Sequence, residues 1–184
     1  MKLTRFLTLL LLLALPIAQA PADEPSSTPV SGSGFVSAMP APEVTVSAGK
    51  PATVKLQFSI RSGFHINSNH PNSDLQIPTE LKLDAPTDIG IGQLTYPPGT
   101  ELSFSFSPEK FDVYTGDFSV VASVSALRTT APGNYRVEGV LHYQACSDHA
   151  CYPPKKLPVG FDVKVLPTKS GKHAHAPAPK SAHP

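Results

Sequence analysis

The sequence has no tryptophan, only two cysteines and almost no net charge, since 15 Lys and Arg residues against 14 Asp and Glu residues give +1. Proteins that capture phosphate backbones or anionic lipid need a basic patch, and the sequence shows none. We therefore expect no nucleic-acid partner. Phosphate-binding glycine loops, dinucleotide fingerprints and the Gly-x-Ser-x-Gly motif of hydrolases are also missing, so we expect neither a nucleotide cofactor nor serine hydrolysis.

Long apolar runs are missing after the first 20 residues, and the one run at the start covers residues 6–17 behind Lys2 and Arg5. It ends at the small residues of Ala18-Gln19-Ala20, which a signal peptidase could recognise. About 12 apolar residues are too few for a membrane span, which needs ~20. We predict that residues 1–20 are a secretory signal peptide. The rest of the chain should then be exported in soluble form, without membrane insertion.

Two segments lack any apolar periodicity. Residues 21–40 and 167–184 are rich in Pro, Ser, Gly and Ala, and such compositions do not bury enough apolar surface to fold. We predict a disordered linker over the first segment and a disordered tail over the second. A single domain is then expected between them, at residues 41–166.

The segment between these ends alternates apolar and polar residues with a period of two, the pattern of half-buried strands. Turn residues such as Arg61-Ser62-Gly63 and Pro97-Pro98-Gly99 separate the runs, and no window has a helical period. We predict an all-β, immunoglobulin-like antiparallel β-sandwich. A barrel stays an alternative, because alternation reports the buried face and not how the sheet closes. The alternating apolar residues are Val44 and Val46; Val54, Leu56, Phe58 and Ile60; Leu81 and Leu83; Phe118 to Ala126; Tyr135 to Tyr143; and Leu157 to Val165.

The two cysteines, Cys146 and Cys151, stand five positions apart. In an oxidising exported compartment such a pair normally forms a disulfide. A bond that closes so short a loop stabilises a fold by only ~2 kcal/mol, so a reversible redox disulfide is one hypothesis and a structural turn clamp is the other. No Lys or Arg follows until Lys155 and Lys156, so strong activation of a thiolate is not indicated.

A metal site is a third hypothesis for the same region. His142, Cys146, His149 and Cys151 lie within ten residues and carry the donor types that zinc and copper prefer. Their spacing matches no common zinc pattern, and exported thiols tend to oxidise. We therefore expect no metal, and keep metal carriage as the weakest alternative.

Several short motifs resemble a known family. They are YQAC at residues 143–146, CYPPK at 151–155 and the final strand at 157–163, supported by GFHINSN at 63–69 and IPT at 77–79. Together they resemble the N-terminal periplasmic domain of the thiol:disulfide interchange protein DsbD, over about residues 40–166.

The resemblance implies an immunoglobulin-like periplasmic domain that takes electrons from a thioredoxin-like domain and passes them to other thioredoxin-fold proteins, without a cofactor. It implies that Cys146 and Cys151 are the redox pair. Cys151 is expected to form the mixed disulfide with the partner, and Cys146 to resolve it. No membrane domain or thioredoxin-like domain is present in this sequence, so we expect either that electrons come from separate proteins or that the domain is adapted to another role.

The family also has a cap region with aromatic residues that shields the redox pair. By resemblance this region corresponds to residues 102–111, where Phe104 and Phe106 are the candidate shielding residues. The alternative is that both phenylalanines are inward-facing residues of an ordinary strand.

Overall fold

The computed structural model describes residues 34–167, and within this range it contains twelve β-strands and no helix. The predicted signal peptide, most of the predicted linker and nearly all of the predicted tail lie outside the described residues. The strands are β1 (Val36–Ala38), β2 (Val44–Ser47), β3 (Ala52–Ile60), β4 (His65–Asn67), β5 (Glu80–Asp84), β6 (Ile89–Thr95), β7 (Thr100–Ser103), β8 (Lys110–Tyr114), β9 (Asp117–Ala126), β10 (Gly133–Tyr143), β11 (Ala145–Cys146) and β12 (Lys155–Leu166).

Two four-stranded sheets enclose the core. The first sheet has the order β1-β3-β9-β6 and the second has the order β2-β12-β10-β5. Strand pairs are antiparallel except β2 with β12, which run parallel with Val44 opposite Val163. The prediction of an all-β, immunoglobulin-like sandwich is confirmed. The alternation pattern did not predict the parallel pairing of β2 with β12.

Side chains of one parity from each long strand fill a single core between the two sheets. The buried pattern along β9 alternates without exception, and β3 and β12 alternate in the same way from Val54 and Leu157 onward. Burial of branched and aromatic side chains on one face of each sheet is the main favourable free-energy term of such a fold. The largest fully buried side chains are Tyr143, Phe58, Phe161, Ile66, Leu141, Val36, Val46, Val54, Val113, Val120, Val124 and Val137.

A smaller third sheet, in the order β11-β4-β8-β7, carries the cysteines at one edge. Ile66 and Ala145 pair across β4 and β11 and belong to the common core, so this sheet is anchored by one of its faces. Tyr114 of β8 adds a second anchor, since its ring stacks on Phe118 of the first sheet with ring centres 5.0 Å apart. The third sheet therefore holds the cysteine region rigidly against the sandwich.

The predicted linker extended too far. The predicted linker covers residues 21–40, but Val36–Ala38 form β1 and pair with β3, and Val36 is only 1% exposed. A three-residue strand between Gly and Pro residues is too short to show a period of two, which explains the error.

Strand β1 also contacts the second sheet. Burial raises the pKa of the Tyr143 hydroxyl, and backbone groups of Val36 and Phe35 act on this pKa in the opposite direction. The folded unit therefore includes residues before position 41.

Replacing Val36 by Ala should lower the free energy of unfolding by about 1–3 kcal/mol, because the change removes buried methyl groups from a packed core. Urea unfolding measures this loss. The matched control is Ser37→Ala on the same strand. Its hydroxyl donates a long hydrogen bond of 3.5 Å to the Ser59 carbonyl, and the expected change is below about 1 kcal/mol. Equal stability of wild type and Val36→Ala would mean that the fold begins after β1.

Candidate redox site

The two cysteines are joined in a disulfide across a tight hairpin. Cys146 and Cys151 form an isolated antiparallel bridge, with their Cα atoms 3.9 Å apart. Backbone hydrogen bonds hold the hairpin on both sides of this bridge: the Ser147 amide donates to the Ala150 carbonyl at 2.9 Å, and the Tyr152 amide donates to the Ala145 carbonyl at 2.8 Å. The loop is therefore defined by its own backbone as well as by the disulfide.

The two cysteines differ sharply in exposure. Cys146 lies in β11 and is 0% exposed, whereas Cys151 follows the turn at the outer edge of the third sheet and is an exposed residue. A thiolate that approaches from solvent can reach a sulfur at the edge more readily than one beneath it. The geometry therefore distinguishes Cys151 as the accessible member of the pair.

Side-chain hydrogen bonds fix the hairpin to β4. Gln144 donates from Nε2 to the Tyr152 carbonyl at 3.2 Å, and its Oε1 accepts from Asn67 Nδ2 at 3.5 Å. Asn67 is fully buried and also donates to the Ile77 carbonyl at 2.9 Å. The residues on both sides of the disulfide are thus connected to the centre of the third sheet.

His65 lies directly beside the buried cysteine. It is the cross-strand partner of Cys146 in the β4–β11 pair and is 3% exposed. Its Nε2 is buried and has no hydrogen-bond partner among the residues that the structure describes. Burial lowers the pKa of His65, and the charge of Asp148 in the cysteine hairpin acts in the opposite direction. His65 is therefore a largely neutral imidazole at pH 7.

Both candidate shielding residues lie in the β7–β8 loop, residues 104–109, and not in a strand. The Phe104 ring stacks on His65 with ring centres 4.1 Å apart and an interplanar angle of 10°. Phe106 in turn stacks on Phe104 at 5.4 Å, and both rings meet Phe111 edge-on. The loop thus covers the side of the site that contains His65, and leaves Cys151 exposed.

An aromatic cluster of Phe35, Phe64 and Tyr152 lies next to Cys151. The ring of Tyr152 is 4.7 Å from that of Phe35 and 5.8 Å from that of Phe64. The Arg61 guanidinium lies over the Phe64 ring at 4.5 Å, within the range of a cation–π contact. These contacts hold the residue after Cys151 against the turn between β3 and β4.

This turn also forms one wall of a cleft of about 410 Å³ beside His65. Gly63 in the turn has φ of +80°, a conformation that glycine adopts without strain. The cleft contains two charged side chains, Arg61 and Asp148, both of them exposed residues. Its other lining residues, apart from His65 itself, are uncharged.

The metal hypothesis finds no support in this geometry. His142 belongs to β10 of the second sheet and lies between the core residues Leu141 and Tyr143, so it faces away from the core, while Cys146 belongs to the third sheet. Within residues 34–167, no three His, Cys, Asp or Glu side chains are grouped so that they could hold a metal ion.

Sequence reasoning did not single out His65 or Tyr152. Both lie inside motifs on which the family resemblance rests, GFHINSN at residues 63–69 and CYPPK at residues 151–155. A signal was present for His65, because a polar residue beside Ile66 in a short strand needs a partner or a function when it is buried. Its pairing with Cys146 depends on a register between strands 81 positions apart in the chain, which the sequence pattern does not contain.

Comparison with protein-family models gives one match, to the family described as thiol:disulfide interchange protein DsbD, N-terminal, over residues 33–161. The match covers well over half of the chain. The chain belongs to this family. No curated protein matches the sequence. Within residues 34–167, no helix has the length and apolar character to cross a membrane.

Solved structures of DsbD N-terminal domains are among the similar folds. The reduced DsbD N-terminal domain of Neisseria meningitidis is 24% identical, with 60% of this chain and 75% of that chain covered at a TM-score of 0.37. The same domain in complex with the N-terminal domain of PilB is 24% identical, covering 68% and 80% at 0.40. The N-terminal periplasmic domain of ScsB from Proteus mirabilis is 13% identical, covering 68% and 44% at 0.46.

Replacing Phe104 by Ala should raise the pKa of His65 towards its ordinary value of 6.5, because burial is the main cause of the lowered value. NMR titration of the imidazole protons in the oxidised protein measures the shift. Phe106→Ala is the control, since Phe106 stacks on Phe104 and should change the His65 titration less. An identical His65 titration in wild type and Phe104→Ala would show that the ring does not keep water from the imidazole.

Proposed function

We propose that this chain is a periplasmic thiol:disulfide exchange module that relays electrons between thioredoxin-fold partners through the Cys146–Cys151 disulfide. Membership of the DsbD N-terminal family supports the class of reaction. The observation that carries the assignment of roles is the contrast between an exposed Cys151 and a fully buried Cys146. No cofactor is needed, because the two sulfurs exchange electrons directly with those of a partner.

The reaction starts at Cys151. A thiolate of the reduced donor attacks the Cys151 sulfur, a donor–Cys151 disulfide forms, and Cys146 leaves with the electron pair of the broken bond. The second donor thiolate then attacks the donor sulfur of this mixed disulfide, so that the donor is oxidised and both cysteines of the chain are reduced. Two electrons have been transferred, and two protons complete the thiols.

The second half-reaction delivers these electrons. The Cys151 thiolate attacks the disulfide of an oxidised acceptor and forms a second mixed disulfide. Cys146 then attacks the Cys151 sulfur, which restores the internal disulfide and releases the reduced acceptor. In this scheme Cys151 is the residue that contacts partners and Cys146 is the resolving residue.

The β7–β8 loop acts as a partial shield in this proposal. Phe104 covers His65, the cross-strand neighbour of Cys146, and Phe106 extends the stack outward to a position where it is 40% exposed. This arrangement supports a role in keeping water and small thiols from the Cys146 side, while Cys151 stays open to a partner.

Single-cysteine variants should separate the two roles. Thioredoxin that keeps only its exposed active-site cysteine, activated as a mixed disulfide with thionitrobenzoate, is mixed with each variant. Cys146→Ala retains the exposed thiol and should form a covalent complex with thioredoxin. Cys151→Ala retains only the buried thiol and should form the complex at least about tenfold more slowly. Non-reducing electrophoresis and the release of thionitrobenzoate measure both reactions.

The competing function is a non-redox binding module in which the disulfide clamps a recognition loop. That function predicts a wild-type disulfide that reduced thioredoxin leaves intact after hours of incubation. Equal rates of complex formation by the two single-cysteine variants would contradict the assignment of roles, even if the disulfide can be reduced.

A further inference from the structure

Three buried side-chain atoms have no hydrogen-bond partner within residues 34–167, namely His65 Nε2, Asn67 Oδ1 and Gln76 Oε1, and the exchange reaction as described gives none of them a role. Buried polar atoms are nearly always paired, because an unpaired one loses its hydrogen bonds to water and gains nothing in return. Of these three residues, His65 is the one that lies directly opposite a cysteine in the strand register.

The β4–β11 register places this imidazole beside Cys146 and not beside Cys151. Directly opposite residues of an antiparallel pair project to the same face of the sheet, with Cβ atoms about 4.5–5.5 Å apart. His65 is opposite Cys146, and Cys146 is opposite Cys151 in the next bridge. The three side chains therefore follow one another across the same face, with Cys146 in the middle.

The Cys146 thiol must lose its proton before its sulfur can attack a disulfide. It is 0% exposed, and a thiol in buried surroundings ionises less readily than one in water. Only the thiolate can attack the mixed disulfide on Cys151. The charged groups that line the adjacent cleft are Arg61 and Asp148, both in exposed turns. His65 is the buried titratable group that the strand register puts next to this sulfur.

We propose that His65 is the proton acceptor for the resolving step, with Nε2 paired to the Cys146 thiol in the reduced protein. The inference rests on the proposed exchange function and assigns a residue to one of its steps. In the disulfide state Cys146 has no proton to offer, which accounts for the unpaired Nε2. The partner of this nitrogen is present only after reduction.

The step balances without any further reagent. The Cys146 S–H proton moves to His65 Nε2, and the thiolate that remains attacks the Cys151 sulfur. The Cys146–Cys151 bond forms as the bond from Cys151 to the acceptor breaks, and the acceptor sulfur leaves with the electron pair. The imidazolium then loses its proton to solvent, or returns it to Cys146 when the reaction runs in the direction of reduction.

The surroundings keep the imidazole in the form that this step requires. Burial lowers the pKa of His65, so that at pH 7 the ring is neutral and one of its nitrogens can accept a proton. Asp148 in the hairpin favours the imidazolium once it has formed, since its charge acts to raise the pKa of His65. A general base of this kind typically contributes a factor of about 10²–10⁴ to a rate.

The reaction of the reduced protein with the aromatic disulfide DTNB isolates the step. Cys151 attacks DTNB in a bimolecular first phase that releases one thionitrobenzoate. Cys146 then closes the disulfide in a unimolecular second phase that releases another. In His65→Gln, which retains a side chain that can form hydrogen bonds but takes up no proton, the second phase at pH 7 should slow by at least about tenfold, with the first phase unchanged.

The pH profile separates a proton acceptor from a structural residue. A larger fraction of any thiol is ionised without a base as the pH rises, so the difference in second-phase rate between His65→Gln and the wild type should shrink from pH 7 to pH 10. A second phase that is slow at both pH values would show that the substitution disturbed the site, and would overturn the proposal. An unchanged second phase at pH 7 would also overturn it.

The matched control is His149→Gln, in the same hairpin at an exposed position. Neither phase should change in this variant. DTNB is a small molecule, so the test is independent of any partner protein. Slow resolution in His65→Gln together with a wild-type disulfide that thioredoxin cannot reduce would uphold this inference and reject the exchange function. Normal exchange with thioredoxin and unchanged resolution in His65→Gln would do the reverse.

Discussion

The short pairing of β11 with β4 is the contact on which the rest of the site depends. Two residues, Ala145 and Cys146, attach the cysteine hairpin to the third sheet, and that sheet is in turn anchored in the core through Ile66. The pairing buries Cys146 and leaves Cys151 one bridge further out, at the edge. Without it the two sulfurs, only five residues apart, would have similar access to solvent.

This constraint makes the two sulfurs of the disulfide differ in exposure, although the disulfide itself adds little stability. A disulfide across so short a loop stabilises a sandwich by only ~2 kcal/mol, and the hairpin has backbone hydrogen bonds of its own. The bond can therefore open without loss of the surrounding fold. The core between the first and second sheets provides the stability, and the third sheet provides the difference between the two sulfurs and the buried imidazole beside one of them.

Alternation in the sequence predicts the long strands and also the shorter β2 and β5, but it does not predict the shortest strands. Alternation over 9–12 residues predicts β3, β9, β10 and β12, because each buries most of one face. Strands β1, β4 and β11 have two or three residues, too few for a period, so their existence depends on partners that are distant in the chain. The cysteine pair is evident from the number and spacing of cysteines, and the two phenylalanines follow from the family resemblance. The stack of Phe104 on His65 and the pairing of His65 with Cys146 depend instead on the structure of the third sheet.

The central claim is that the Cys146–Cys151 bond is opened and closed in the working protein, and the midpoint potential of this couple tests it most directly. Equilibration with glutathione or dithiothreitol buffers at pH 7, followed by alkylation of thiols and mass spectrometry, gives the value. A labile disulfide should lie clearly above about −300 mV, within reach of thioredoxin-like reductants. A potential below about −300 mV is typical of structural disulfides and would contradict the account.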